Sequence, residues 1–473
     1  MPLPTSDEPF LGRSSELRFL KKAWADPAGS FIPVYGRRRV GKSEMIRHFI
    51  SGKRGIYYVG KQAPPDLQLR EFMRDAAECL DEPLLAEVHV DGWARAFKLI
   101  EERWKGPEKL ILALDEFQWM CEVSPELPSV IQEAWDRRWK KGGIMVILCG
   151  SYLGFMEREV LGKKSPLFGR RTGQILLRPF DHREAALFHP GLSLTEQART
   201  YFICGGLPFY LKCFSAGRSV EQNIADHFLS ETGLLRREAD FLLREELREL
   251  VNYHSILMAL AEGQNTNSGI STASGIGDRA LHFYLTTLME LGYVRKKHPL
   301  TGAAAQVRLG RYVLDDPLLR FWFRFVFPQT SLIARLGPTA AMERLIKPGL
   351  DAYFGQCFEL LCREALPMIY AREGVTSAFE VGEYWDKDTQ IDIVGLRKDG
   401  VTDLGECKWT STKSPTPLRE GLEPRTAIYP NTRRATLHTR YFTRLKITHR
   451  TPPPATEHWH DLEDIYDVPL MGE

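Results

Sequence analysis

The chain has 473 residues, of which 43% are apolar and 26% are charged, with a formal net charge of +2 at pH 7. This length predicts two to four domains, each able to bury its own core, and the composition is ordinary for a globular protein. The near balance of charge excludes an overall field that would commit the whole surface to nucleic acid, so any such surface must be local.

Targeting and membrane signals are missing from the sequence. The N-terminal segment MPLPTSDEPF has neither the basic nor the apolar region of a signal peptide, and no run of about 18 apolar residues follows. The eight cysteines form no C-x-x-C pair and show no zinc-ligand spacing. Several lie inside apolar runs, which is typical of reduced, buried thiols. We therefore expect a cytoplasmic protein with no membrane partner.

The first part of the chain alternates short strand-like segments with helical ones. Strand–helix alternation implies right-handed crossovers and a parallel sheet covered on both faces. The continuous apolar runs LILAL and IMVIL are typical of central strands in such a sheet. We predict an α/β core over residues 1–180 and a helical lid over 181–250. The predicted strands are 31–35, 54–59, 109–115, 143–149 and 174–178.

The segment GRRRVGKS follows the first predicted strand and completes the pattern G-x-x-x-x-G-K-[ST]. Glycines let backbone N–H groups curl around phosphate oxygens, and the following helix N-terminus adds a partial positive charge. Lys42 would reach the β- and γ-phosphates, and Ser43 would join the Mg²⁺ shell. The flanking strand and helix favour this interpretation over a glycine turn with a solvated lysine. The predicted nucleoside triphosphate site comprises Gly36, Arg37, Arg38, Arg39, Val40, Gly41, Lys42 and Ser43.

Further candidate residues follow later strands of the same sheet. Asp115 and Glu116 end the most apolar strand, at the edge where ligands bind in parallel sheets. Asp115 would hold Mg²⁺, and Glu116 would orient or deprotonate the attacking water. Ser151 ends the next strand and would sense the γ-phosphate, although a serine ending a strand is a weak signal. Arg170 or Arg171 would stabilise transition-state charge, in cis or from a neighbouring subunit, unless both are merely solvated.

Six blocks of sequence together resemble the prokaryotic AAA-like ATPases of the STAND-related MNS clade. The resemblance covers about residues 10–215 and implies an ATP-driven switch, often oligomeric, with ATP and Mg²⁺ as ligands. It further implies that Gly12 and Arg13 lie near the adenine and that Pro208 contacts the nucleotide. The blocks are FLGR with Glu16-Leu17, GRRRVGKS, LDEFQ, CGS, SPLFGRRT and GGLP.

A second group of charged residues lies near the C-terminus, in a predicted domain spanning 313–473. Asp392 lies in the strand-like segment QIDIVG, and Glu406 and Lys408 lie in GECKW. The period-two geometry of a strand places Glu406 and Lys408 on one face. Adjacent strands would bring Asp392 to the same point, giving two acids for Mg²⁺ and an amine for the water or the phosphate. Glu359, on a predicted amphipathic helix, would add a third carboxylate.

This D-x(13)-E-x-K pattern resembles the PD-(D/E)xK restriction-endonuclease-like fold. IDIVG followed by GECKW is similar to the C-terminal DUF234 domain attached to ATPases of the same group. The resemblance covers about 315–410 and implies a Mg²⁺-dependent nuclease with Asp392 and Glu406 as metal ligands. Two alternatives stay open: an ion pair between polar strand faces, and a nuclease fold kept only as a binding platform.

Residues 251–312 have the outline of a winged helix. A helix, a Ser/Thr/Gly-rich turn and a second helix from Asp278 to Leu291 are followed by a hairpin, whose strands at 293–297 and 306–309 flank Leu300-Thr301-Gly302. The second helix carries few base-reading donors (Arg279, His282, Tyr284 and Thr287), and the wing segment 295–298 would bind phosphates. Packing or protein docking explains the domain equally well.

The segment 431–450 has six Lys/Arg residues and no acids, which would give the C-terminal domain a phosphate-binding face. We therefore expect DNA as a partner. Two functions remain: an ATPase whose nucleotide state controls a DNA nuclease, or an ATP-binding regulator that binds DNA or protein without cleavage.

Overall fold

A computed structural model describes residues 9–303, 309–412, 414–449 and 451–467. The chain divides into two compact units. The first runs to Pro179 and also includes Leu207–Phe209, and the second comprises Phe180–Gly206 and the chain from Tyr210 onward. The predicted lid, winged helix and C-terminal domain all fall within the second unit, apart from Leu207–Phe209.

The first unit is built on a five-stranded parallel sheet with the strand order β2-β3-β4-β1-β5. Every residue of β1, β3 and β4 is buried, as expected for central strands covered on both faces. The α/β fold and all five predicted strands are therefore confirmed. The strands are β1 Ser30–Tyr35, β2 Gly55–Val59, β3 Leu110–Asp115, β4 Ile144–Gly150 and β5 Ile175–Leu176.

Amphipathic helices cover this sheet and build its core. An aromatic cluster centred on Trp93, with Tyr58, Phe72 and Phe97 around it, lies in that core. The helices are α1 Ser14–Ala25, α2 Lys42–Ile50, α3 Pro65–Leu80, α4 Trp93–Arg103, α5 Phe117–Val123, α6 Leu127–Arg137 and α7 Leu153–Phe155, with short helical turns at Pro83–Ala86, Trp139–Lys141 and Met156–Val160.

The second unit begins with helices and ends in a mixed sheet. Two antiparallel strands, β6 Val294–Lys297 and β7 Arg311–Leu314, form a hairpin between them. The helices up to the long α19 are α8 His182–Ala186, α9 Leu194–Cys204, α10 Pro208–Cys213, α11 Val220–Ile224, α12 Glu238–Glu246, α13 Leu250–Ala261, α14 Asn267–Ser274, α15 Asp278–Glu290, α16 Pro317–Phe321, α17 Thr330–Leu336, α18 Pro338–Ala341 and α19 Lys347–Arg372. Shorter helical turns lie at Ala225–Leu229, Trp322–Val326, Phe327–Gln329 and Met342–Ile346.

The hairpin differs from its predicted position. Its second strand is Arg311–Leu314, whereas the sequence placed that strand at 306–309, of which residues 306–308 lie outside the described residues. The Ser/Thr/Gly-rich segment before α15, predicted as a turn, instead forms α14. Thr266 caps this helix by accepting a hydrogen bond from the Gly269 N–H, which explains how a sequence of poor helix formers becomes helical.

The C-terminal sheet has the strand order β12-β11-β10-β9-β8. Strands β8, β9 and β10 pair antiparallel, whereas β10, β11 and β12 pair parallel, with α20 crossing between β10 and β11. Among the residues described, no helix combines the length and apolar character that a membrane crossing requires. The elements are β8 Phe379–Trp385, β9 Gln390–Arg397, β10 Val401–Lys408, α20 Thr416–Ile428, β11 Thr436–Thr443, β12 Glu457–His460 and α21 Leu462–Tyr466.

Candidate ATP and metal sites

The GRRRVGKS loop joins β1 to α2, with Gly41 as the residue that caps the helix. Gly41 has φ 92°, a left-handed conformation that glycine adopts without strain. At Gly36 a side chain would not fit, because a Cβ atom would lie 2.3 Å from the carbonyl oxygen of Leu177. The two glycines of the motif therefore have separate reasons to be glycine, one conformational and one steric.

Lys42 lies inside the loop, where 5% of its surface is exposed. Its Nζ donates hydrogen bonds to the carbonyl oxygens of Gly36 at 2.8 Å and Arg37 at 3.0 Å. Burial lowers the pKa of Lys42, an effect opposed by the nearby Asp115 and Glu116. The loop thus holds an amine where a phosphate-binding loop requires one.

Asp115 lies at the end of β3 and is buried. Its Oδ2 accepts hydrogen bonds from the Ser43 hydroxyl at 2.6 Å and from the Tyr57 hydroxyl on the adjacent strand. Burial, together with the Asp115 carboxylate, raises the pKa of Tyr57, so this hydroxyl remains a donor. Adjacent hydroxyl and carboxylate oxygens are the hard donors that Mg²⁺ prefers, so Ser43 and Asp115 fit this ion.

Glu116 is the N-cap residue of α5 and has a left-handed conformation with φ 50°. Its Oε2 accepts hydrogen bonds from the Ser151 hydroxyl at 2.8 Å and from the Gln118 amide. The predicted γ-phosphate sensor and the predicted water-activating carboxylate are therefore in direct contact. Sequence analysis missed Gln118 and Tyr57 as members of the site. The signals were Gln118 in the LDEFQ block and Tyr57 on the strand next to Asp115.

The residues assigned to the nucleotide by family resemblance also lie close to the loop. Arg13 is buried, and its Nη2 donates a hydrogen bond to the Val40 carbonyl oxygen at 3.0 Å. Gly12 precedes it with φ 70°. A Cβ atom on Gly41 would lie 3.5 Å from the Pro208 side chain. Contact of Gly12, Arg13 and Pro208 with ATP stays a prediction.

The two candidate arginines have different surroundings. Arg170 forms a bidentate ion pair with Asp136, with a 2.8 Å contact between Nη2 and Oδ2, and donates to the Pro166 carbonyl oxygen. Arg171 is exposed. The geometry therefore favours a structural role for Arg170 and leaves Arg171 as the better candidate for a catalytic arginine.

We expect Arg171→Ala to lower ATP turnover by about 10³-fold or more if Arg171 acts as an arginine finger. Arg170→Ala should instead lower the melting temperature at least as much as Asp136→Ala does, because both changes break the ion pair and only the first also removes the hydrogen bond to Pro166. Steady-state ATPase assays and thermal denaturation measure the two effects.

If Arg171 acts across a subunit boundary, turnover per subunit should rise with protein concentration. Concentration-independent turnover in a demonstrated monomer would exclude that version.

The C-terminal candidates lie on β9, β10 and α19. Gly405 pairs with Ile393 in the antiparallel register of β9 and β10, and the Cys407 N–H donates to Asp392 Oδ2 at 3.1 Å. Asp392 is 8% exposed, so its carboxylate is largely withdrawn from water. The sheet therefore brings Asp392 beside the strand segment that carries Glu406, as the sequence predicted.

Three of these carboxylates act on one another. Burial and the neighbouring Asp392 raise the pKa of Glu359 to about 8 and that of Glu406 to about 7. Burial raises the pKa of Asp392 itself. Arg425 opposes the effect on Glu406, forming an ion pair of 2.6 Å with its Oε2. A bound cation would relieve the repulsion among these buried acids.

The group is not arranged as a ready three-ligand metal site. Within the described part of the chain, the set of three candidate ligand atoms lying within 4.8 Å of one another is Asp403, His438 and His458. Lys408 lies at the exposed end of β10. Oxygen donors of Asp392 and Glu406 still suit Mg²⁺, which commonly uses one or two protein carboxylates and keeps several waters.

We expect Glu406→Gln to stabilise the metal-free protein at about pH 8 but not at about pH 4. A pKa raised from 4.5 to about 7 means that the native state keeps a proton that the unfolded chain has released. The free energy of unfolding therefore falls as pH rises between these values, by up to about 3 kcal/mol. Thermal denaturation in the presence of a chelator measures the stability of variant and wild type at both pH values, and the exposed Glu423→Gln is the control. A variant less stable than wild type at about pH 8 would contradict the prediction.

The wing prediction needs correction at Lys297. This side chain is largely buried and forms an ion pair with Glu383 on β8. The Leu300 N–H donates to the Glu383 carbonyl oxygen at 2.8 Å, and the Tyr429 hydroxyl donates to the Leu300 carbonyl oxygen at 3.0 Å. The segment after β6 thus packs on the C-terminal sheet, because its lysine finds a buried acid there. Arg295 pairs with Asp315 at 2.8 Å.

On α15, Arg279 and His282 are exposed, as DNA contact would require, whereas Tyr284 is buried and its hydroxyl donates to Glu249 Oε2 at 2.9 Å. The Thr287 hydroxyl donates to the Phe283 carbonyl oxygen within the helix. Two of the four predicted base-reading donors therefore already have hydrogen-bond partners within the protein.

The basic segment 431–450 is also less exposed than its composition suggested. Arg440 is fully buried, with ion pairs of 2.7 Å to both Asp403 and Glu373. Arg444 lies over the Trp409 ring at 5.3 Å. Arg450 lies outside the described residues. The phosphate-binding face therefore reduces to the exposed members of the segment, which include Arg433, Arg434 and Lys446.

Comparison with known proteins supports the first unit as an ATPase. Residues 10–214 match a family described as an ATPase domain predominantly from Archaea, and residues 322–417 match DUF234, described as archaeal and bacterial proteins of unknown function. An uncharacterized protein of Methanocaldococcus jannaschii is 28% identical over 410 residues, covering 85% of this chain and 88% of that protein. An uncharacterized ATP-binding protein of the same organism is 42% identical over 45 residues, covering 10% of this chain and 76% of that protein.

Among solved structures, the Walker-type ATPase of Pyrococcus abyssi is similar, with a TM-score of 0.50 and 20% identity over 67% of this chain and 96% of that chain. This likeness concerns the fold alone. The family match and the geometry of the loop together support a P-loop ATPase domain over residues 10–214, and residues 322–417 are similar to DUF234.

Proposed function

We propose that this protein is a Mg²⁺-dependent ATP-driven switch whose nucleotide state controls a C-terminal domain that cleaves DNA. The observation that carries the ATPase part is the contact of Ser43 with Asp115 at 2.6 Å, beside the loop amine of Lys42. The observation that supports the nuclease part is the position of Asp392 beside the strand segment that carries Glu406, where its Oδ2 accepts a hydrogen bond from the Cys407 N–H at 3.1 Å.

In the ATPase site each residue has a separate role. Lys42 binds the β- and γ-phosphates, and Ser43 and Asp115 hold the Mg²⁺ that neutralises charge on them. Glu116 orients the attacking water and accepts its proton. The hydrogen bond from Ser151 to Glu116 positions that carboxylate, so a shift of Ser151 toward the γ-phosphate would release it. This pair gives the switch a local element that responds to nucleotide state.

In the C-terminal site, Asp392 and Glu406 would hold Mg²⁺, with Glu359 as a third carboxylate nearby. The ion supplies charge stabilisation at the scissile phosphate and a water of lowered pKa. Lys408 offers its amine to the phosphate or the water from the exposed strand end. Exposed basic residues of the 431–450 segment would bind the DNA backbone, which fixes position without reading sequence.

One observation favours the second candidate function, a regulator that binds DNA or protein without cutting. Arg425 pairs with Glu406 at 2.6 Å and already neutralises the carboxylate that a metal would need. A binding platform would keep such a pair permanently. A nuclease must exchange it for the metal, which ATP-dependent control would provide.

A nicking assay decides between the two functions. Supercoiled DNA is incubated with the full-length protein, Mg²⁺, and either ATP or a non-hydrolysable analogue. We expect nicking that requires Mg²⁺ and that differs between the two nucleotides. If no DNA or RNA is cut under any nucleotide or metal condition while ATP is hydrolysed, the binding-platform function is correct. A rise in hydrolysis per subunit with concentration would add homo-oligomerisation to the proposal.

A further inference from the structure

A buried polar layer lies on one face of the parallel strands β10, β11 and β12, separate from the residues proposed for ATP hydrolysis or DNA cleavage. Asp403 on β10 pairs directly with His438 on β11, and Arg440 on β11 pairs with His458 on β12. Alternation along a strand puts His438 and Arg440 on the same face. Each of the three strands therefore contributes one candidate ligand to one place.

The two imidazoles face each other at a distance that metal coordination explains. The Nδ1 atom of His438 lies 3.3 Å from the Nε2 atom of His458, and a carboxylate oxygen of Asp403 lies within 4.8 Å of both. For tetrahedral Zn²⁺ with bonds of about 2.0–2.1 Å, two ligand atoms are separated by about 3.3 Å. Two half-buried ring nitrogens at this distance either share a single proton or share an ion.

The carboxylate is held as metal ligands usually are. Asp403 is fully buried, and its Oδ1 accepts a 2.7 Å hydrogen bond from Arg440 Nε while its Oδ2 accepts one from the Tyr370 hydroxyl. A carboxylate has about four acceptor positions, so about two remain for an ion. Outer hydrogen bonds of this kind orient ligating carboxylates and tune the metal.

The charge of the layer also leaves room for a cation. Three carboxylates, Glu373, Asp399 and Asp403, lie with two guanidinium groups, Arg397 and Arg440, in connected ion pairs. Three negative and two positive charges give the layer a net charge of −1. A bound divalent ion would change this net charge to +1. Two imidazole nitrogens and one carboxylate oxygen form a donor set that suits Zn²⁺ and excludes Mg²⁺, which requires oxygen ligands.

We propose that Asp403, His438 and His458 bind one Zn²⁺ ion, which pins β12 to the centre of the C-terminal sheet. The site is distinct from the Glu359–Asp392–Glu406 group and does not depend on cleavage activity. An open fourth position would hold water.

The test is direct metal binding by the full-length protein. After treatment with a chelator, the protein is dialysed against Zn²⁺ alone, and bound metal is measured by elemental analysis. We expect one Zn²⁺ per chain, a higher melting temperature with Zn²⁺, and a tetrahedral absorption spectrum when Co²⁺ replaces it. His438→Asn and His458→Asn should each weaken Zn²⁺ binding by at least about 10-fold.

Two controls make the result specific. His89→Asn changes an exposed histidine outside every proposed site and should bind Zn²⁺ as wild type does. Asp392→Asn should also keep Zn²⁺ binding, because Asp392 belongs to the other acidic group. Wild-type protein that takes up no Zn²⁺ and shows no tetrahedral Co²⁺ spectrum would overturn the proposal. So would a folded His438→Asn/His458→Asn double variant with wild-type affinity, since the histidines would then share only a proton.

Discussion

Lys42→Ala is expected to abolish ATP binding, whereas Glu116→Gln should keep binding and lower turnover by about 10²–10⁴-fold. The first change removes the amine that would bind the phosphates. In the structure this amine donates a 2.8 Å hydrogen bond to the carbonyl oxygen of Gly36 in the same loop. The second leaves the loop, Ser43 and Asp115 intact and removes only the carboxylate that activates water. Equilibrium binding of a fluorescent ATP analogue and steady-state phosphate release separate the two outcomes.

The control for charge is Lys61→Ala, an exposed lysine that pairs with Glu71 at 2.7 Å and should leave both measurements unchanged. Ser151→Ala tests the contact with Glu116, because loss of the 2.8 Å hydrogen bond should reduce turnover and leave ATP affinity near that of wild type. Unchanged hydrolysis in Glu116→Gln would place the catalytic base elsewhere and contradict the assignment.

The ATPase core was predictable because its signals are local and strong. The strands Leu110–Asp115 and Ile144–Gly150 contain the continuous apolar runs LILAL and IMVIL, which are typical of strands in a parallel sheet covered on both faces. The loop motif depends on two glycines and a lysine at fixed spacing. Tyr57 could not be found in this way, since its contact with Asp115 comes from the pairing of β2 with β3.

The charged residues of the second unit show that composition cannot establish which side chains of a basic segment are exposed. Arg440 belongs to a basic run in the sequence, yet the pairing of β11 between β10 and β12 places it in the interior beside Asp403. Lys297 likewise lies in a basic run and finds a buried acid, Glu383, 86 positions away. A run of basic residues therefore predicts a solvated surface only if all of its side chains are exposed. Strand pairing decides which of them are buried.

The placement of Asp392 near Glu406, in contrast, follows from local strand pairing, which sequence can indicate. Asp392 and Glu406 lie 14 positions apart on two strands joined by a tight antiparallel connection, so local spacing brings them together. The partners that modify them were not predictable. Arg425 on α20 pairs with Glu406, and Arg363 on α19 opposes the rise in the pKa of Asp392 that burial causes. Both contacts depend on how helices pack on the sheet.

Asp392→Ala and Lys408→Ala are each expected to abolish phosphodiester cleavage while ATP hydrolysis stays at the wild-type rate. Asp392 lies beside the strand segment that carries Glu406, and it adds to the effect of burial in raising the pKa values of Glu359 and Glu406, so it is central to the group that would hold Mg²⁺. ATP hydrolysis should persist because Lys42, Asp115 and the other ATPase residues belong to a different compact unit. Nicking of supercoiled DNA and phosphate release measure the two activities in the same samples.

The matched controls are the exposed Asp388→Ala and Lys398→Ala, which should cut DNA as wild type does.

DNA binding should weaken with rising salt, because Arg433, Arg434 and Lys446 would contact phosphates rather than bases. Asp392→Ala should retain that binding, since it removes a negative charge and no phosphate contact. Cleavage that survives both Asp392→Ala and Lys408→Ala would place the nuclease outside this group. Binding without any cleavage in wild type would identify the domain as a DNA-binding platform, with the Arg425–Glu406 ion pair as its permanent state.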